Sequence, residues 1–216
     1  VLLLFTKQPE PGRAKTRLIP ALGEERAAEL HARLARHAAD LARMIPIVPL
    51  RRVACVAPPA WREQAPSLLG EGLEIWPQCE GDLGERLEAA FRRAFDEGAC
   101  RVVVYGADCP DLRAELVEEA FRALRTHDAC FGPAQDGGYY LLGLGRPMAG
   151  VFEGVPWSCA DTGRVTLERL AAERAWVHHL PALHDLDRPE DLDALRPRHP
   201  ALLSQTPRAC RDETEG

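Results

Sequence analysis

The chain alternates short apolar runs with longer amphipathic stretches. Val1–Phe5 is an apolar run of strand length, followed by a polar loop with Pro9, Pro11 and Gly12. From about 24 to 43, Ala27, Leu30, Leu34, Ala38 and Leu41 recur at spacings of three and four, which sets them on one helical face. Val53–Ala57 and Leu73–Pro77 read as the second and third strands. Leu87, Ala90, Phe91, Ala94 and Phe95 predict a helix over about 83–97, with Gly98 as its stop. Arg101–Tyr105 is a fourth strand, and Leu116, Ala120 and Leu124 mark a helix over about 113–126.

The rhythm then changes. Ala129–Gly132 and Tyr139–Leu144 are strand-like runs separated by Pro-Ala-Gln-Asp-Gly-Gly, which can close a hairpin or form a ligand loop. A helix over about 161–174, a strand at Val177–Leu180 and a short helix at Pro189–Leu195 complete the pattern. Residues 1–196 are expected to form a single domain, and 197–216 a loosely ordered tail. Short apolar strands alternating with helices predict an α/β, Rossmann-like fold. It has a mostly parallel central sheet, helices on both faces and one antiparallel strand in the later half. Ligands of such sheets bind beyond the carboxyl ends of the strands, where the loops 6–17, 106–112 and 132–138 meet if their strands are neighbours.

Composition narrows the function. Lys plus Arg total 27 against 33 Asp plus Glu, a net charge of -6, which argues against nucleic-acid binding by bulk attraction. No window approaches the roughly 18 apolar residues of a membrane helix. Val1–Phe5 runs into Lys7 and two prolines, unlike a signal peptide. The chain opens on Val1, inside its first strand, so further residues are expected upstream. The cysteines at 55, 79, 100, 109, 130, 159 and 210 are scattered without metal-knuckle spacing. They read as mostly reduced, buried thiols of a cytoplasmic protein, with a catalytic cysteine as the alternative.

The candidate chemistry sits in the loops. Lys7, Arg13, Lys15 and Arg17 follow the first strand among prolines and Gly12, without the Walker spacing of a P-loop. The loop reads as a cradle for a di- or triphosphate, against the plainer reading of a solvated basic loop. The fourth strand runs into Gly106-Ala-Asp-Cys-Pro-Asp111. A carboxylate facing a polyphosphate needs a cation between them, so Asp108 is expected to hold Mg²⁺ or Mn²⁺. The alternative is a loop carboxylate that caps backbone N–H groups. Asp111 is either a partner behind that site or the N-cap of the next helix. Asp185 and Asp187 alternate on an extended segment, and either could complete a metal site. Asp136 reads as an acceptor-binding residue or base, or as an ordinary Asx turn. Trp157 reads as a lid or as core. His178-His179 lack a third ligand at metal spacing and read as structural.

Six motifs occur in order: Lys7-x-Pro-x-Pro-Gly-x-x-Lys-Thr-Arg-Leu18, Gly81-Asp-Leu-Gly-Glu-Arg-Leu87, Gly106-Ala-Asp-Cys-Pro-Asp-Leu112, Gly132-Pro-x-x-Asp-Gly-Gly-Tyr-Tyr-Leu-Leu-Gly-Leu144, Trp157-Ser and Asp185-x-Asp-x-Pro-Glu-Asp-Leu192. Together they resemble the bacterial GT-A-type glycosyltransferases of the arsenosugar-biosynthesis type, within the nucleotide-diphospho-sugar transferase superfamily. The resemblance runs from residue 1 to about 195. It implies a GT-A fold and a metal-dependent glycosyltransferase that moves a sugar from a nucleotide-sugar donor to a small-molecule acceptor. Nucleotidyl transfer with release of pyrophosphate is the alternative, and a nucleotide-sensing module without turnover a third possibility. The resemblance further implies nucleotide-phosphate contacts at Lys7, Gly12, Arg13, Lys15, Arg17, Gly81 and Arg86. It places the metal on Asp108 and Asp187, and the acceptor loop at Asp136, Gly137, Gly138 and Tyr139, with Trp157 beside it. Ser158-Cys159 stands where Ser-Thr is expected, so a Thr hydroxyl contact or cap is expected to be lost there.

Overall fold

The computed structural model describes residues 1–203. Its strands are β1 (Leu2–Lys7), β2 (Arg52–Ala57), β3 (Glu74–Pro77), β4 (Val102–Gly106), β5 (Ala129–Pro133), β6 (Tyr139–Leu144) and β7 (Val177–His179). They form one sheet in the order β3-β2-β1-β4-β6-β5-β7. β1 pairs in parallel with β2 and β4, β2 with β3, and β5 with β7. β6 runs antiparallel to both of its neighbours, β4 and β5. The helices are α1 (Ile19–Leu22), α2 (Glu24–Met44), α3 (Ala65–Leu69), α4 (Leu83–Asp96), α5 (Ala114–Ala123), α6 (Thr162–Ala172), α7 (Pro189–Leu195) and α8 (Pro200–Leu203). Short 3-10 turns lie at Thr16–Leu18, Pro59–Glu63 and Ala149–Phe152. The mostly parallel α/β sheet with one reversed strand is as the sequence predicts.

Strand side chains alternate between the two faces, so each strand serves two cores. Leu2 and Leu4 of β1 pack with Ala35, Ala38 and Ala39 of α2 and with Val117 and Ala120 of α5. Leu3 faces the other way, with Leu87 and Phe91 of α4 and Leu170 of α6. The alanines let α2 lie close on the sheet, and the buried Tyr105 hydroxyl donates to the Ala38 carbonyl at 2.7 Å.

A third cluster matters most for function. Leu18, Leu22 of α1, Leu30 and Leu34 of α2, Leu186, Leu192 and Leu195 of α7, and Leu203 are buried together. Burying one leucine is worth about 1.5–3 kcal/mol. This cluster ties the segment after β1 to the last part of the chain. It also corrects the expected boundary of the tail: Pro200–Leu203 is a helical turn and Leu203 is fully buried. The remainder of that tail, 204–216, lies outside the described residues.

Periodicity had not marked α1, α3, α8 or the 3-10 turns, each too short to repeat a face. Among the described residues no helix is long and apolar enough to cross a membrane. The described cysteines are free, and the expected burial holds only in part: Cys55 and Cys130 on strands and Cys109 after β4 are buried, whereas Cys79, Cys100 and Cys159 lie in connections outside the sheet and are exposed.

Candidate active site

Because β1 and β4 are parallel neighbours, the loops that follow them leave the sheet side by side. The β5–β6 connection opens at the same end, since β6 reverses direction. The three loops and the segment 184–191 surround a cleft of about 780 Å³.

Three of the four loop cations reach this cleft, and two arrive already paired. Lys7 is exposed, with its ammonium 3.2 Å from the Arg13 carbonyl. Lys15 is 4% exposed and has φ 49°. Its ammonium lies 2.8 Å from Asp108 Oδ1 and also bonds the Leu186 carbonyl. Arg17 pairs with the Asp187 carboxylate, and its other terminal nitrogen is 3.4 Å from the Ser158 carbonyl. Arg13 instead pairs with Glu10 at 3.2 Å, and neither it nor Gly12 lines the cleft.

The carboxylates converge from three elements. Burial opposes ionisation of Asp108, but Lys15 and His31 outweigh it and hold the carboxyl below its ordinary range. Asp108 remains about half exposed toward the cleft. Burial, reinforced by Asp108 and Asp136, pushes the Asp185 carboxyl up to about 7. Asp185 Oδ1 is buried without a hydrogen-bond partner. A buried, orphaned carboxylate oxygen beside further carboxylates is a donor set that suits a hard divalent cation. Among the described residues no three His, Cys, Asp or Glu side chains are placed to hold an ion by themselves. Such an ion would take its remaining ligands from substrate oxygens, as Mg²⁺ commonly does.

The Asp-Gly-Gly loop forms the expected Asx turn and lies at the cleft. Asp136 Oδ1 accepts the Gly138 N–H at 2.9 Å, an Asx turn, while the residue itself lines the cleft. Gly137 has φ 90°, and a Cβ there would come 2.2 Å from the Ala160 carbonyl. The Gly163 N–H donates to the Gly137 carbonyl at 2.8 Å, which docks the loop on the start of α6. Gly138 and Tyr139 line the cleft, whereas Gly137 does not. Trp157 is at once lining and core: it faces the cleft and packs on the α4 side of the sheet. Its indole rests on Gly84, where a Cβ would lie 2.8 Å from Nε1.

Other expected residues stand elsewhere. Gly81 and Arg86 do not line the cleft. The Arg86 guanidinium bonds the Gly81 carbonyl at 2.9 Å, and Asp82 with Glu85 forms a capping box that starts α4. That motif is helix-start chemistry, and of it Leu83 and Leu87 reach the cleft. Asp111 fills neither expected role: the N-cap of α5 is Arg113, and Asp111 bonds Arg198 and His199, each at 2.7 Å. The hydroxyl contact expected to be lost at Cys159 is supplied by Thr162, whose Oγ1 accepts the Cys159 N–H at 3.4 Å and donates to the Pro156 carbonyl at 2.6 Å. His178 pairs with Glu119 at 2.9 Å, away from the cleft.

The sequence reading missed His31. It is buried on α2, its Nε2 is 3.1 Å from the Lys7 carbonyl, and its Nδ1 is 3.8 Å from Asp108. Burial foremost pushes its pKa down. The signal was available: a histidine next to Leu30 on an otherwise apolar helical face. His184 and Arg188, which also line the cleft, had no such signal.

Comparison with known proteins gives the family and the fold. The family of uncharacterised proteins conserved in bacteria, DUF2064, matches residues 38–159, more than half the chain. A 3-phospho-D-glycerate guanylyltransferase of Phenylobacterium zucineum (strain HLK1) is 34% identical over 150 residues, covering 66% of this chain and 65% of that protein. The chain thus matches somewhat less than two thirds of that relative's length. A solved structure from Desulfovibrio desulfuricans G20, provisionally described as a nucleotide-diphospho-sugar transferase, superposes with a TM-score of 0.80 at 34% identity, covering 95% of this chain and 96% of that one. A CMP:2-keto-3-deoxy-manno-octonic acid synthetase solved with CTP shares the fold, with a TM-score of 0.60 at 12% identity over 93% of this chain and 98% of that one. The chain therefore belongs to the bacterial DUF2064 family and is built on the fold shared by nucleotidyl- and glycosyltransferases.

Proposed function

We propose that the protein transfers a sugar from a nucleotide-diphospho-sugar to a small acceptor in this cleft, with Mg²⁺ or Mn²⁺ held by Asp108 and Asp187. One observation carries the reading: Lys7 and Arg17 share the cleft with Asp108, Asp136, Asp185 and Asp187. Cations and carboxylates facing one cavity suit a polyanion and a divalent ion bound together. The likeness to the Desulfovibrio structure over nearly the whole chain supports glycosyl transfer. Assignment to the arsenosugar type rests on the six sequence motifs.

Each residue then has a task. When bound, the metal would neutralise diphosphate oxygens as they gain charge. Lys7 and Arg17 add fixed positive charge where the bond from the sugar's anomeric carbon to the diphosphate oxygen breaks, its electron pair leaving with the diphosphate. The acceptor hydroxyl oxygen bonds that carbon, and its proton passes to Asp136, whose Oδ2 is not used by the Asx turn. Lys15 is too buried to meet phosphate and holds Asp108 in place. Tyr139 and Trp157 form the wall against which the transferred group rests.

The guanylyltransferase relative favours a second reading, nucleotidyl transfer. There an acceptor phosphate oxygen attacks the α-phosphorus of a nucleoside triphosphate and pyrophosphate leaves. The same cations and carboxylates serve both reactions. The test is to incubate the protein with Mn²⁺ and either nucleotide-sugars or nucleoside triphosphates plus small phosphorylated acids. Release of nucleoside diphosphate supports the first reading and release of pyrophosphate the second. Release of neither, with every base tried, refutes both.

A further inference from the structure

Asp108 and Asp187, the carboxylates assigned to the ion, each already hold a cation of the first loop. The two pairs differ in kind. Lys15 is built in: its side chain is 2% exposed and it also bonds the Leu186 carbonyl. The Arg17 side chain is 48% exposed and that of Asp187 32%. An ion pair so open to water is weak and readily exchanged. A guanidinium finds a better partner in a phosphate, which it can grip with two parallel hydrogen bonds. A carboxylate finds a better partner in a divalent cation that shares its ligands with that phosphate.

From this geometry we infer that Arg17 and Asp187 form an exchangeable pair, each occupying the other's ligand position until a nucleotide diphosphate draws Arg17 away and opens Asp187 to the metal. The inference rests on the proposed reading of the cleft and adds an order to it. Charge stays balanced through the swap: one internal pair is replaced by Arg17 with phosphate and Asp187 with metal. Metal and phosphate then strengthen each other's binding. The metal binds weakly to the nucleotide-free protein.

The test uses the full chain and two probes: Mn²⁺ alone, followed by the electron paramagnetic resonance signal of the free ion, and inorganic pyrophosphate in EDTA, followed by calorimetry. Arg17→Gln should bind Mn²⁺ alone about 5-fold or more tighter than wild type, and pyrophosphate more weakly. Asp187→Asn should do the reverse, and adding Asp187→Asn to Arg17→Gln should abolish the gain for Mn²⁺. Arg13→Gln removes a cation of the same loop that pairs with Glu10 outside the cleft, so it should leave Mn²⁺ affinity within about twofold of wild type. Mn²⁺ binding by Arg17→Gln no tighter than wild type overturns the exchange. So does an equal gain in Arg13→Gln, which would mark a general field effect. If Arg17→Gln does not fold, Asp187→Asn decides: tighter pyrophosphate binding supports the swap, and unchanged binding overturns it. A wild type that binds no nucleotide in the cleft strikes at the proposed function. A wild type that turns nucleotide over while these variants fail strikes the exchange alone.

Discussion

The Lys15 ammonium lies 2.8 Å from Asp108 Oδ1, so the most buried cation of the basic loop is committed to a carboxylate and not to a phosphate. It also bonds the Leu186 carbonyl, which joins three elements at one atom: the loop after β1, the end of β4 and the segment before α7. Lys15→Met leaves Asp108 without its cation and that carbonyl without its donor. Chemical denaturation should show a loss of about 2–3 kcal/mol, less than for a fully buried pair because Asp108 is half exposed. Lys7→Gln, at an exposed site, should weaken nucleotide binding and leave stability within about 0.5 kcal/mol.

Asp108→Asn keeps the shape of the strand end and removes the charge. Turnover in the nucleotide assay should fall by about 100- to 1000-fold, the usual cost of a charge-stabilising group. A variant that keeps more than about a tenth of wild-type turnover would remove Asp108 from the mechanism.

Asp136→Asn separates turn from chemistry. An Asn oxygen can still accept the Gly138 N–H, so the melting temperature should hold. The group that takes the proton is lost, and kcat should fall about 100-fold or more. Equal loss of stability and rate would mean that the Asx turn is the residue's only role.

Gly137→Ala meets two penalties at once. The residue sits at φ 90° and its Cβ would lie 2.2 Å from the Ala160 carbonyl. The variant should lose about 2–4 kcal/mol in denaturant unfolding. It should also lose activity, because the loop that carries Asp136 must leave α6.

Acid stability offers a check remote from the cleft. Asp128 accepts the Trp176 N–H at 2.9 Å and the Arg146 guanidinium at 3.1 Å, tying β5 to the approach of β7. The Trp176 N–H first, and Arg146 second, hold its carboxyl below the ordinary 3.8. A depressed carboxyl contributes stability above the unfolded-state value, and that contribution fades as pH falls through the folded-state value. Asp128→Asn should therefore lower the melting temperature at pH 7, and its deficit should shrink as pH falls below the ordinary 3.8. Parallel curves down to pH 2 would refute the assignment.

Much of the fold could be read directly from the chain. The strands and the longer helices announced themselves through apolar spacing, because burial against a sheet demands a face with the period of the element. The order of loops was legible too, since parallel strands send their carboxyl ends to one side. Short elements such as α3 and α8 repeat no face and left no pattern. The Gly81–Arg86 motif is ambiguous for a related reason: a capping box and a ligand loop use the same residue types, and here Asp82 and Glu85 build the box.

The sequence by itself determined the α/β sheet with its single reversed strand and the candidate carboxylates Asp108, Asp136 and Asp187, because periodicity and local turn chemistry are written residue by residue. Tertiary structure alone decided their company: Lys15 on Asp108, Arg17 on Asp187, Asp185 half-buried near Asp108 and Asp136, and His31 beside Asp108. Those pairings follow from the leucine cluster that folds the end of the chain onto the loop after β1. A contact between segments so far apart along the chain is set by which apolar surfaces find one another, and no local pattern carries that choice.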